Sequence, residues 1–116
     1  MLFIQYPPCS TCKKAKAWLD EKGIAYTDRN IKEDNPTYEE LKAWYERSGM
    51  PLKKFFNTSG LLYKSMNLKD RLEDMTEEEQ LRLLASDGML VKRPLVVAET
   101  VILTGFREKE WEKFAE

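Results

Sequence analysis

Histidine is absent from this 116-residue sequence. Its absence removes imidazole acid–base catalysis, any Cys–His dyad and any Ser–His–Asp triad. Cysteine is nearly as scarce, with Cys9 and Cys12 the only two. A structural zinc site needs four ligands, usually Cys and His, so neither a metal site nor a cofactor is expected. Secreted disulfide frameworks carry more cysteines, spread more widely, and a reducing compartment, the cytoplasm, is expected instead. No apolar run approaches the ~20 residues that span a bilayer. Met1 to Tyr6 has no basic leader and no small-residue cleavage site, so it reads as a first strand rather than a signal peptide. An excess of one charge is missing too. Nineteen Lys and Arg meet twenty Asp and Glu, a net charge of -1. No global basic field draws nucleic acid or an anionic membrane, although a local basic patch is allowed.

What is present suits a globular chain. Hydrophobic residues make up 42% and charged residues 34%, and the length fits one domain over residues 1–116. Leu2 to Gln5 reads as a buried strand stopped by Pro7-Pro8. Ser10 or Thr11 then caps a helix running to about Lys22, with Gly23 as its stop. Ala15, Ala17, Trp18 and Leu19 form the apolar face of that helix. Ile24 to Ile31 reads as a second strand, which completes a parallel β-α-β unit. Residues 36–88 read as a helical insertion. Within it Thr37 and Glu40, and again Thr76 and Glu79, have the spacing of a capping box. Leu41, Trp44 and Tyr45 mark a buried helix side, and Pro51 to Phe56 reads as a short helical turn. The strands return as a hairpin, Leu95 to Ala98 and Val101 to Thr104, turning at Glu99-Thr100. After Gly105 a last helix, from Glu108 to Glu116, uses Trp111, Phe114 and Ala115.

The chemistry concentrates in Pro8-Cys9-Ser10-Thr11-Cys12-Lys13-Lys14, which follows a strand and opens a helix. At this spacing one helical turn brings two sulfurs together, as a reversible disulfide requires. A helix N-terminus offers unpaired N–H groups and a partial positive charge, and both favour a thiolate. With Lys13 and Lys14 adding cationic character, Cys9 is expected to titrate below the ~8.5 of a free thiol. Cys12, one turn in, is expected to be the resolving partner. The alternative is a pair of core cysteines that happen to lie three apart.

A second motif, Lys92-Arg93-Pro94-Leu95, precedes the hairpin. Pro94 is either a strand-start proline or a cis-proline turn that sets backbone beside the cysteines. In the second reading Arg93 stabilises a thiolate or an anionic substrate. Composition alone favours trans, since only about 5–6% of X–Pro bonds are cis.

These segments, with Asn57-Thr58-Ser59-Gly60 and Asp87-Gly88, resemble the arsenate reductase/Spx family in order and across nearly the whole chain. The resemblance implies an α/β, thioredoxin/glutaredoxin-like fold, with a four-stranded mixed sheet and the helical insertion between strands 2 and 3. It also implies a cis Pro94. In the arsenate reductase branch an N-terminal cysteine, here Cys9, attacks arsenate, and three arginines hold the oxyanion. Arg93 matches one and Arg107 another. Tyr63, followed by Lys64, stands where the third is expected, and a tyrosine has no guanidinium fork. Ser10, Thr11, Arg93, Pro94 and Arg107 are thus the candidate substrate-binding residues, and Cys9, Cys12 and Arg93 the catalytic ones. Glutathione, glutaredoxin or thioredoxin is the implied reductant.

The Spx branch implies a different class of function. There a Cys-x-x-Cys pair is a redox switch on a regulator that binds the C-terminal domain of the RNA polymerase alpha subunit, and Gly49 lies near that branch's glycine contact. Elsewhere, Trp18, Trp44 and Trp111 read as core. Lys53-Lys54 beside Phe55-Phe56 reads either as basic residues flanking buried rings or as a partner surface.

Overall fold

The structure is a computed structural model that describes residues 1–115, with side chains described through residue 113. Phe114 and Ala115, expected on the apolar side of the last helix, lie outside the described side chains. Glu116 lies outside the described residues altogether.

Four strands form one mixed sheet in the order β2-β1-β3-β4. They are β1 (Leu2–Gln5), β2 (Thr27–Asn30), β3 (Leu95–Val97) and β4 (Ile102–Thr104). β1 pairs parallel with β2, Leu2 opposite Thr27, and antiparallel with β3, Leu2 opposite Val97. The β3–β4 hairpin sets Val97 opposite Ile102. Between β1 and β2 runs α1 (Ser10–Glu21). The stretch between β2 and β3 is helical: α2 (Tyr38–Ser48), α3 (Leu61–Ser65), α4 (Leu68–Arg71) and α5 (Glu77–Ser86), with short 3-10 turns between and after them. α6 (Glu108–Trp111) follows the sheet. The α/β, thioredoxin-like fold class implied by the resemblance is the one observed, with the helical insertion between the second and third strands.

Alternation along the strands divides the core in two. Phe3, Val96 and Leu103 face α1 and α6, where they meet Ala15, Trp18, Leu19 and Trp111. Ile4, Leu95 and Ile102 face the insertion, packing with Leu41, Trp44, Phe55, Phe56, Leu84 and others. All three tryptophans are buried as read.

Three features of the N-terminal β-α-β unit differ from expectation. The second strand is four residues long rather than eight. It lies at the sheet edge, where one face and one flank meet solvent and polar residues are tolerated. Ala17 is exposed, because at 100° per residue it turns away from the Ala15, Trp18 and Leu19 stripe. The cap of α1 is Cys9 rather than Ser10 or Thr11. Here the Cys9 N–H donates to the Tyr6 carbonyl at 2.9 Å, closing a turn over Pro7-Pro8 and starting the helix one residue early.

Beside the shared apolar core, two local contacts tie the insertion to the β2 side of the sheet. Arg29 of β2 donates to both carboxylate oxygens of Glu40 in α2, at 2.7 and 2.9 Å. The same Glu40 completes a capping box with Thr37. At the other end Gly88 passes so close to the chain just after β2 that a Cβ there would lie 1.8 Å from the Ile31 carbonyl oxygen. Only glycine fits.

Candidate functional site

Cys9 stands at the N-terminus of α1 because the Pro7-Pro8 turn delivers it there in extended conformation. It is partly exposed, whereas Cys12, one turn later, is fully buried. Both are free thiols. The Tyr6 backbone N–H donates to the Cys12 sulfur at 3.4 Å.

The two sulfurs differ sharply in acidity. Burial pushes Cys9 up, but the Cys12 N–H and thiol, the Arg93 guanidinium and the Thr11 N–H all favour its anion. The net effect holds Cys9 below its ordinary value. Helix-terminal amides therefore act on this sulfur as expected. The leading cation is Arg93 rather than Lys13 or Lys14, which are exposed. Cys12 moves the other way. Burial first, then the neighbouring Cys9 charge, pushes it up to about 12 against the opposing Tyr6 N–H and Arg93.

Arg93 precedes a cis peptide bond to Pro94. Pro94 is buried, and its carbonyl accepts the Gly105 N–H at 2.8 Å, tying the turn to the end of β4. The Arg93 Nε and Nη1 are buried with no hydrogen-bond partner. Orphaned charged donors are costly, and an anion arriving beside them would be well served. The guanidinium carbon also lies 5.2 Å from the Tyr6 ring centre.

A cleft of about 960 Å³ opens beside Cys9. Its walls come from Cys9 and Thr11 at the head of α1, from Lys92 and Arg93, from residues 104–107 at the end of β4 with Glu110 of α6, and from residues of the insertion between 50 and 61. Five cations line it, Lys53, Lys54, Lys92, Arg93 and Arg107, against one carboxylate, Glu110. Arg107 is three-quarters exposed and lies 3.8 Å from Glu110.

Of the predicted site residues, Cys9, Thr11, Arg93 and Arg107 line the cleft. Cys12 lies behind Cys9. Ser10 is exposed outside the lining, and Pro94 is buried outside it, next in the chain to Arg93. Tyr63 is buried against Phe56, ring centres 6.3 Å apart, and neither it nor exposed Lys64 lines the cleft. The side chain from that region that does is Leu61, which is 88% exposed. Gly49 is exposed at the end of α2 with φ +70° and is also outside the lining, although Met50 is within it.

Sequence reasoning missed Tyr6, which touches Cys12 through its backbone and Arg93 through its ring. The available signal was an aromatic residue placed directly before the proline pair that positions Cys9.

The arrangement can take a nucleophilic thiolate to an anionic electrophile while a second, protonated thiol waits behind it. The model of the ArsC family matches residues 4–114. The uncharacterized protein YusI of Bacillus subtilis is 53% identical over 113 residues, covering 97% of this chain and 96% of that one. Global transcriptional regulator Spx 2 of Bacillus anthracis is 29% identical, covering 91% of this chain and 79% of its own. The crystal structure of an ArsC family related protein from Bacteroides fragilis superimposes with a TM-score of 0.94 at 63% identity, covering 97% of this chain and 95% of that one.

Proposed function

The chain belongs to the ArsC family, and on that premise we propose that it is a thiol–disulfide oxidoreductase in which Cys9 attacks and Cys12 resolves. The observation that carries the reading is the asymmetry of the two thiols. The partly exposed sulfur at the helix cap is held toward its anion, and the fully buried one is pushed up to about 12.

The cycle follows from that asymmetry. The Cys9 thiolate attacks an oxidised sulfur of the substrate, forming a mixed disulfide and expelling the leaving group. Once the Cys9 charge is consumed in the bond, one of the influences that keeps Cys12 protonated disappears. Cys12 then loses its proton and displaces the substrate thiolate, leaving a Cys9–Cys12 disulfide. Arg93 serves the anion, whether thiolate or substrate, through its two unpaired donors. Thr11 and Arg107 face the incoming substrate, Pro94 fixes the Arg93 backbone, and Ser10 contributes to the helix-end turn. The disulfide is returned to dithiol by glutathione, glutaredoxin or thioredoxin in the cytoplasm.

Arsenate is the less suitable electrophile. The third arginine expected for an oxyanion is replaced by Tyr63, whose side chain is buried away from the cleft. The second reading, a redox-switched regulator docking on the RNA polymerase alpha subunit, has as its support the similarity to Spx. No feature of the cleft favours it over the first.

Turnover of a small disulfide with glutathione or a thioredoxin system as electron source tests the proposal. The expected result is catalysis that Cys9→Ser abolishes. Rates at background with every reductant would reject it, and redox-dependent capture of the alpha subunit would then favour the regulator.

A further inference from the structure

We infer that the cleft takes an acidic polypeptide segment carrying a disulfide, docked on the insertion wall formed by Lys53, Lys54 and Leu61. This rests on the oxidoreductase reading and names its substrate class.

Three observations converge. The first is charge. The chain as a whole carries -1, yet its cleft gathers five cations and one carboxylate. Such a local field draws anions of more than one charge and repels basic segments. Arg93, with its buried free donors, lies on the sheet side with Cys9, while Lys53 and Lys54 belong to the 3-10 turn Leu52–Phe55 of the insertion. A substrate that uses both walls therefore bears negative charge away from its reacting sulfur as well as near it.

The second is size. About 960 Å³ lies near the upper end of the ~300–1,000 Å³ typical of small-molecule pockets, far beyond what one tetrahedral oxyanion fills. The third is Leu61. Among the described residues it is the large hydrophobic side chain left exposed, at 88%, and it sits on the cleft rim with Met50 and Phe56 also lining the wall. An exposed aliphatic side chain in the same cleft as the lysines suits a peptide that carries both apolar and acidic side chains. A small hydrophilic anion would leave Leu61 uncovered.

The step balances in electrons and protons. The Cys9 thiolate attacks one sulfur of the peptide disulfide, and the other leaves as a thiolate that takes a proton from water. Cys12 gives up its proton to solvent and attacks the Cys9 sulfur, releasing the second peptide thiolate. The second peptide thiolate also takes a proton from water, so the peptide gains two electrons and two protons. The Cys9–Cys12 pair loses two electrons and the Cys12 proton, the Cys9 proton having gone to solvent when its thiolate formed. An external dithiol restores the pair.

The test compares two peptides of equal length, each closed by one internal disulfide. One is flanked by Asp, Glu and Leu, the other by Lys and Leu. A small dicarboxylate disulfide and uncharged 2-hydroxyethyl disulfide complete the set. The acidic peptide is expected to exceed the basic one by about tenfold or more in kcat/KM at low salt, the margin shrinking as salt rises. The double variant Lys53→Glu, Lys54→Glu is expected to erase that margin. Leu61→Ser is expected to raise KM for the acidic peptide by about fivefold, and in both variants the acidic peptide is expected to lose more than 2-hydroxyethyl disulfide does. Equal rates for the two peptides would overturn the inference. So would a small dicarboxylate that matches the acidic peptide and loses as much in the variants. If 2-hydroxyethyl disulfide is reduced while the peptide preference is absent, the inference alone fails. If no disulfide is reduced, the oxidoreductase reading falls and takes this inference with it.

Discussion

The guanidinium of Arg93 lies over the ring of Tyr6, its central carbon 5.2 Å from the ring centre. The backbone N–H of the same Tyr6 donates to the Cys12 sulfur, and its carbonyl accepts the Cys9 N–H. One residue thus touches both cysteines and the arginine that acts on them. Tyr6 is a positioning residue in this arrangement, because its ring meets Arg93 rather than the reacting sulfur.

Replacing Tyr6 separates ring from backbone. A cation–π contact of about 0.5–1 kcal/mol, at 1.36 kcal/mol per pK unit, limits the effect to roughly half a unit. Tyr6→Leu is expected to raise the Cys9 titration by about that much, read from thiolate absorbance in the ultraviolet. Tyr6→Phe keeps the ring and is expected to leave the titration in place. Equal behaviour of the two variants would remove the ring from the mechanism.

Arg93→Met removes the cation that favours the Cys9 anion. A hydrogen bond to a charged group is worth about 1.5–3 kcal/mol, so Cys9 is expected to titrate about one to two units higher and to react more slowly at neutral pH. Arg93→Lys is expected to restore only part of the effect, since a point charge lacks the planar fork. Alkylation rates across pH check both variants.

Selective labelling follows from burial. At neutral pH iodoacetamide is expected to modify Cys9 alone, because Cys12 is fully buried and pushed up to about 12. Mass spectrometry of the folded protein should give one adduct, and of the denatured protein two. Two adducts on the folded protein would contradict the ordering of the thiols.

Much of this was legible before any coordinates. The Cys9–Cys12 spacing, the double proline and the two capping boxes each act within a turn of the chain, where residue identity decides geometry directly. Contacts between distant segments left weaker traces. Nothing local to Tyr63 says that its ring is buried against Phe56 and not in the cleft lining, because that choice is made by the packing of the whole insertion. Cis geometry at Pro94 was likewise not to be had from composition, and came from family resemblance alone. Leu61 reads as one more apolar residue in a helix, and only the fold shows it stranded on the rim.

The link between sheet and insertion has an acid signature. The Arg29 fork, outweighing burial and helped by the Thr37 N–H, lowers Glu40 from 4.5 to about 2. A carboxyl whose folded value lies below its unfolded one binds its proton later in the native state. Its contribution is therefore complete above pH ~4.5 and is lost as pH falls toward ~2. Glu40 is about one-third exposed, so after solvent screening Glu40→Gln is expected to cost only about 1 kcal/mol at pH 7. Urea melts of the variant should show a flatter pH dependence between pH 4.5 and 2 than those of the natural sequence.

The most direct experiment is equilibration of the reduced protein in glutathione buffers of graded potential, with acid quenching and mass analysis. A working pair should convert in a single two-electron transition to a species two hydrogens lighter, with Cys9 and Cys12 joined and no glutathione retained. A protein that stays dithiol throughout, or that stops at a glutathione adduct on Cys9 which Cys12 never displaces, would show that the buried sulfur does not resolve the exposed one.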